Sequence, residues 1–180
     1  SGPAAPLTGT VMWLYDRFPF IRHFVWNNMD ANSKRAVENP DCIPKHFEWQ
    51  VSLELAMEYL HNTGRTFRAE RVPLCYMQRF AWSSTEARKI IKEEERCIKF
   101  LDQKGFVRQL EFLHGKGSAC DNCQWDTICA GVYSMANHYD ERELSPVFED
   151  TMPVIRSVLG HEPSPELMQR LESRRGQRSR

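Results

Sequence analysis

Residues 44–64 read PKHFEWQVSLELAMEYLHNTG, and this stretch decides the fold class. Pro44 suits the first turn of a helix, where a missing N–H costs nothing, and Gly64 suits its stop. Phe47, Val51 and Leu55 recur at helical spacing on one stripe, and Trp49, Leu53, Met57 and Leu60 on another. A helix apolar over more than half its circumference is expected inside a bundle rather than on its surface.

Downstream, RTFRAERVPLCYMQRFAW (65–82) alternates only in part and holds a proline, so it reads as an edge strand or an extended crossing segment. SSTEARKIIKEEERCIKFLDQKG (83–105) predicts one long helix opened by a capping box between Ser83 and Glu86, with Ala87, Ile90, Ile91, Cys97, Ile98 and Leu101 inward. FVRQLEFLHG (106–115) reads as a second, shorter helix. A polar connection, NHYDERELSP (137–146), precedes a short helix near MPVIRSVLG (152–160). Ser164-Pro165-Glu166 is the cap and first turn of a last helix.

Upstream, residues 11–29 are rich in aromatics, and Pro19 divides them. Phe20, Ile21, Phe24 and Val25 then recur at helical spacing, and 30–44 reads as a long connection. The expectation is a mostly α fold, an irregular helical bundle of about five or six helices, with one short strand or hairpin and a cysteine-rich loop. Residues 1–10 read as a flexible leader, 11–172 as a single mostly helical domain and 173–180 as a basic tail. The start SGPAAPLTG, without methionine, is what a processed fragment would show.

The 180 residues suffice for one domain with a proper core, and 41% apolar with 27% charged residues is ordinary globular composition. Lysine plus arginine equals aspartate plus glutamate at 24 each, which argues against a surface devoted to nucleic acid but allows local basic patches. No run approaches the roughly 20 apolar residues of a membrane span, since VMWLYDRFPFIRHFVW (11–26) is broken by charges and Pro19. A membrane partner is therefore not expected.

The chemical grammar lies in GSACDNCQWDTIC, residues 117–129. Cys120-x2-Cys123 is the spacing of a metal knuckle, and Cys129 is a plausible third ligand. Four ligands are needed for structural zinc, and the candidates for the fourth are His138, His114 or Cys97. Gly115, Gly117 and Ser118 give a flexible approach, while Trp125 and Ile128 could cover the site from water. Two other readings compete: an amphipathic helix, CQWDTICAGVYSMA, with inert buried thiols, and a disulfide. The remaining cysteines, Cys42, Cys75 and Cys97, stand alone in patterned segments, which together with the chain length favours a reducing compartment, cytoplasmic or nuclear.

C-x2-C-x5-C resembles the cysteine spacing of iron–sulfur sites in some nucleases and in WhiB-like regulators, over these ten residues only. That resemblance implies an iron–sulfur cluster completed by a distant fourth cysteine. The proline that commonly follows the second cysteine in those families is replaced by Gln124. A-C-x-N-C-x-W also resembles short segments of uncharacterised fungal cysteine-containing proteins.

No G-x-S-x-G, H-E-x-x-H, Walker or G-x-G-x-x-G pattern occurs, and the six histidines are scattered. The reading therefore leans away from an enzyme and names no catalytic residue. It points to a protein-interaction domain stabilised by a structural zinc knuckle, with another protein as partner. Two alternatives stand beside it. One is a nucleic-acid-associated factor using the knuckle and Arg170, Arg174, Arg175 and Arg178; the other is an iron–sulfur or redox protein.

Overall fold

The computed structural model describes residues 7–31, 33–94, 96–99, 106–109, 114–133, 138–139 and 141–176, with backbone alone at 96–99 and 106–109. Helix predominates. The helices are α1 (Leu7–Arg17), α2 (Lys34–Glu38), α3 (His46–Asn62), α4 (Thr85–Lys92), α5 (Met152–Leu159) and α6 (Pro165–Glu172). The strands are β1 (His23–Asn27), β2 (Thr66–Glu70), β3 (Arg96–Lys99), β4 (Phe106–Gln109), β5 (His114–Gly115) and β6 (Val132–Tyr133). They form three two-stranded pairings: β1 with β2 parallel, β3 with β4 antiparallel and β5 with β6 antiparallel.

α3 organises the first half. The Lys45 N–H donates to Glu48 Oε2 at 2.6 Å at its start, and Gly64 leaves it at φ +69°, a left-handed position that glycine adopts without penalty. Trp49, Leu53, Met57 and Leu60 are buried, each contributing about 1.5–3 kcal/mol of burial. Phe47, Val51 and Leu55, by contrast, are 65%, 67% and 49% exposed, so α3 lies at the edge of the core and not inside a bundle. α1 packs along it, with the Thr8 hydroxyl donating to the Ser52 carbonyl at 3.1 Å and Tyr15 edge-on to Tyr59. α1 begins at Leu7, within the stretch read as a leader.

The run after Pro19 forms a strand, not a helix. β1 aligns Phe24 with Phe67 and Trp26 with Ala69 of β2, and the parallel pairing requires the crossover that α2 and α3 supply. Phe24 and Trp26 pack inward while Val25 faces solvent, the alternation of a half-buried strand. Segment 65–82 resolves into β2, then tight turns at Leu74–Tyr76 and Gln78–Ser83 that deliver Leu74, Tyr76, Met77, Phe80 and Ala81 to the core.

The long helix expected over 83–105 stops at Lys92, because Glu93 turns left-handed at φ +53°. Its cap is Ser84, whose Oγ accepts from the Ala87 N–H at 3.2 Å; Ser83 instead donates to the Phe80 carbonyl. Glu86 accepts the Arg71 N–H on one carboxylate oxygen at 3.1 Å and the Ser84 hydroxyl on the other at 3.5 Å. Of the helix expected over 106–115, residues 106–109 and 114–115 form β4 and β5 instead, each paired to another strand, and 110–113 lie outside the described residues. α5 packs on α4 and the 78–83 turn, burying Val154, Ile155 and Val158, and α6 follows with Ser164 capping Leu167 as the sequence implied.

Candidate metal centre

The cysteine segment is two tight turns, Ser118–Asn122 and Gln124–Thr127, rather than an amphipathic helix. Cys123 N–H donates to the Cys120 carbonyl at 3.1 Å and Cys129 N–H to the Trp125 carbonyl at 3.0 Å, so each turn carries its cysteine into the interior. Trp125 and Ile128 are 1% and 0% exposed and roof the segment, with the indole N–H donating to the Asp150 carbonyl at 3.3 Å. The approach needs its glycines. A Cβ at Gly117 would stand 2.4 Å from that of Glu141, and one at Gly131 (φ +95°) would stand 2.2 Å from the Gly115 carbonyl oxygen.

Cys120, Cys123 and Cys129 line one small cavity of about 20 Å³, and a fourth cysteine, Cys75, lines it as well. Leu74, Leu144 and Val147 complete its apolar wall. Sequence reasoning missed Cys75, which sits in the turn after β2, far upstream of the motif. No spacing rule could connect them; the only signal was a solitary cysteine in a segment of uncertain structure.

Backbone N–H groups reach these sulfurs: Val147 N–H donates to Cys123 Sγ and Gly131 N–H to Cys129 Sγ, both at 3.3 Å. Burial, aided by charge on Cys129 and Cys120 and opposed by hydrogen bonding from Ser145, pushes the Cys75 thiol up to about 12. Burial likewise lifts Cys120 to about 11 and raises Cys129, while the Lys116 charge opposes the rise at both. Burial thus makes Cys75, Cys120 and Cys129 resist ionisation; a cation beside them reverses that preference. As they stand, no three His, Cys, Asp or Glu side chains among the described residues are gathered tightly enough to hold a metal ion. The five described cysteines, Cys42, Cys75, Cys120, Cys123 and Cys129, are all free thiols.

Neither histidine proposed as a ligand lies on the cavity. His138 is edge-on to Tyr139, its Nε2 3.1 Å from the Ile43 carbonyl oxygen, and His114 is buried in β5 edge-on to Tyr133. The Cys97 side chain lies outside the described residues. Lys116 borders the cavity and is held by Asp126, Nζ to Oδ1 at 2.7 Å, with both side chains buried. The other Asp126 oxygen accepts the Gly176 N–H at 2.8 Å, and Arg174 Nε donates to the Thr127 carbonyl, so the segment after α6 folds back on the cysteine turns.

Of the four arginines, Arg170, Arg174 and Arg175 have partners within the chain. Arg170 donates to the Ile90 and Ile91 carbonyls at 3.1 and 2.9 Å and pairs with Glu93 at 2.8 Å, closing the C-terminal end of α4. Arg175 pairs with Glu172, and Arg178 lies outside the described residues.

A second polar cluster surrounds His46. The ring is fully buried among Trp49, Tyr76 and Tyr139, with Nδ1 3.1 Å from Glu143 Oε2 and Nε2 3.5 Å from the Asn28 amide. If Nε2 accepts from Asn28, the proton sits on Nδ1 and is donated to Glu143. Burial lowers the His46 pKa despite the hydrogen bond and charge of Glu143. An imidazole so enclosed is placed to hold α3 against the Glu143 segment rather than to meet a substrate.

No family model, curated protein or solved structure matches the chain. Its class is therefore defined by its own geometry: a predominantly helical domain with a thiol-lined interior cavity.

Proposed function

We propose that this chain is a non-enzymatic protein-interaction domain whose second half is fastened by a structural zinc ion on its cysteine turns. The convergence of the cysteine sulfurs on one cavity supports this reading. Soft thiolate donors select zinc or iron–sulfur centres over hard cations. Elemental analysis of protein purified without chelators is expected to give one zinc per chain, lost on Cys120→Ser with Cys123→Ser. Well under one metal per chain refutes it.

The interaction role rests on the exposed stripe Phe47, Val51 and Leu55, to which α1 adds exposed Met12 and Trp13. Such residues at helical spacing suit the apolar surface of a partner protein. A photo-crosslinking residue at Leu55 is expected to form a discrete adduct in cell extract that Phe47→Glu with Val51→Glu removes without changing the melting temperature. Absence of any adduct removes this half of the reading. The nucleic-acid alternative draws less support, because Arg170 and Arg174 already serve backbone carbonyls. The iron–sulfur alternative uses the same sulfurs and is distinguished by colour and iron content. No described helix is long and apolar enough to cross a membrane.

A further inference from the structure

Resting on the metal reading above, we infer that Cys75 is the fourth ligand, so that Cys75, Cys120, Cys123 and Cys129 form an all-thiolate site. The ion would then tie the turn after β2 to the two cysteine turns, joining segments that are remote in sequence.

Four observations carry the inference. Cys75 faces the same cavity as the other three sulfurs, whereas His114 and His138 do not. Its backbone is already fixed: Tyr76 N–H donates to the Pro73 carbonyl at 3.0 Å, Met77 N–H to the Leu74 carbonyl at 3.1 Å, and the Gln78 amide to the Cys75 carbonyl at 3.2 Å. The Val147 and Gly131 N–H groups donate to Cys123 Sγ and Cys129 Sγ, the outer-shell arrangement that supports metal-bound thiolates. The cavity, about 20 Å³, is close to the space of one small sphere, which suits a single tetrahedral ion.

Binding is balanced by proton release. Each zinc–sulfur bond forms as the thiol gives its proton to solvent, so a divalent ion with four thiolates carries two net negative charges. Lys116 at the cavity edge, with its Nζ held on Asp126, faces that charge.

The test uses the wild-type chain. Zinc-loaded protein is alkylated with iodoacetamide before and after chelation, and labelling is mapped by mass spectrometry. Cys75, Cys120, Cys123 and Cys129 are expected to be protected together and released together, while exposed Cys42 reacts throughout. In parallel, Co²⁺ alone is titrated into wild type and Cys75→Ser. The wild type should give a four-thiolate tetrahedral spectrum, and the variant should lose sulfur charge-transfer intensity. Its affinity should fall by more than the roughly 10–100-fold that loss of an outer-shell partner costs. Cys75 labelling unaffected by chelation, or a cobalt spectrum unchanged in the variant, overturns the inference while leaving the metal reading intact. No metal in wild-type protein overturns both. Iron and sulfide in place of zinc, with the same four cysteines protected, upholds the ligand set and changes the metal.

Discussion

Replacing Lys116 by methionine isolates the value of the charged pair beside the cysteine cavity. Lys116 and Asp126 are 8% and 4% exposed at the side chain, with Nζ 2.7 Å from Oδ1 and 2.8 Å from the Asp126 carbonyl oxygen. At an effective dielectric of about 20, unit charges at that separation attract by roughly 6 kcal/mol, but removing two ions from water costs several kcal/mol each. The pair as a whole is therefore worth little, while half of it is costly. Lys116→Met leaves a buried carboxylate that has lost its direct ion pair and keeps the Gly176 N–H, with the Arg174 and Arg175 charges acting on it, and is expected to destabilise by about 3–5 kcal/mol. Adding Asp126→Leu removes the stranded charge and should restore most of that loss. Urea unfolding followed by tryptophan fluorescence, in reductant and chelator so that metal does not enter, measures both. A single-variant cost below about 1 kcal/mol would refute the reasoning, as would a double variant no more stable than the single one.

Further outcomes follow from the same geometry. Gly131→Ala places a Cβ against the Gly115 carbonyl at a left-handed backbone, and should cost about 3 kcal/mol or more and lower metal content. The folded pKa of His46 lies below the ordinary value of 6.5, so the unfolded chain binds the proton more readily. Stability is full above pH 6.5 and falls as pH drops toward the folded value; His46→Phe should flatten that slope in pH-dependent unfolding. Leu53→Ala should cost about 2–5 kcal/mol, whereas Val51→Ala, two positions away on the exposed stripe, should stay within about 0.5 kcal/mol by thermal unfolding.

Segments whose punctuation is local were legible in the sequence. α3 between Pro44 and Gly64, and α6 behind Ser164-Pro165, carry their own start and stop signals. Elements settled by distant partners were not. A short apolar run such as Phe20 to Val25 fits helix or strand equally, and only the pairing with β2 across α3 decides it. The early end of α4 falls on Glu93, a residue with no breaking tendency of its own, so nothing in 83–105 marked it. Periodicity identified both apolar stripes of α3 but could not say which one the core would take, because that depends on where β2 and the 74–83 turns lie. The same locality hid Cys75. The knuckle spacing reports ligands within one loop, and a cysteine brought in by tertiary folding leaves no mark on it.

The bond from Gly176 to Asp126 has a consequence for the order in which the chain matures during synthesis. Translation delivers α1, α3 and the β1–β2 pair first, and α1 with α3 and β1 with β2 contact one another directly. The cysteine turns emerge next, yet Asp126 lacks its second hydrogen bond and Thr127 its arginine until residues 174–176 have also left the ribosome. A nascent chain halted after α5 would thus present its thiols on an incompletely buttressed loop, most open to metal and to oxidant just before the last turn closes over them.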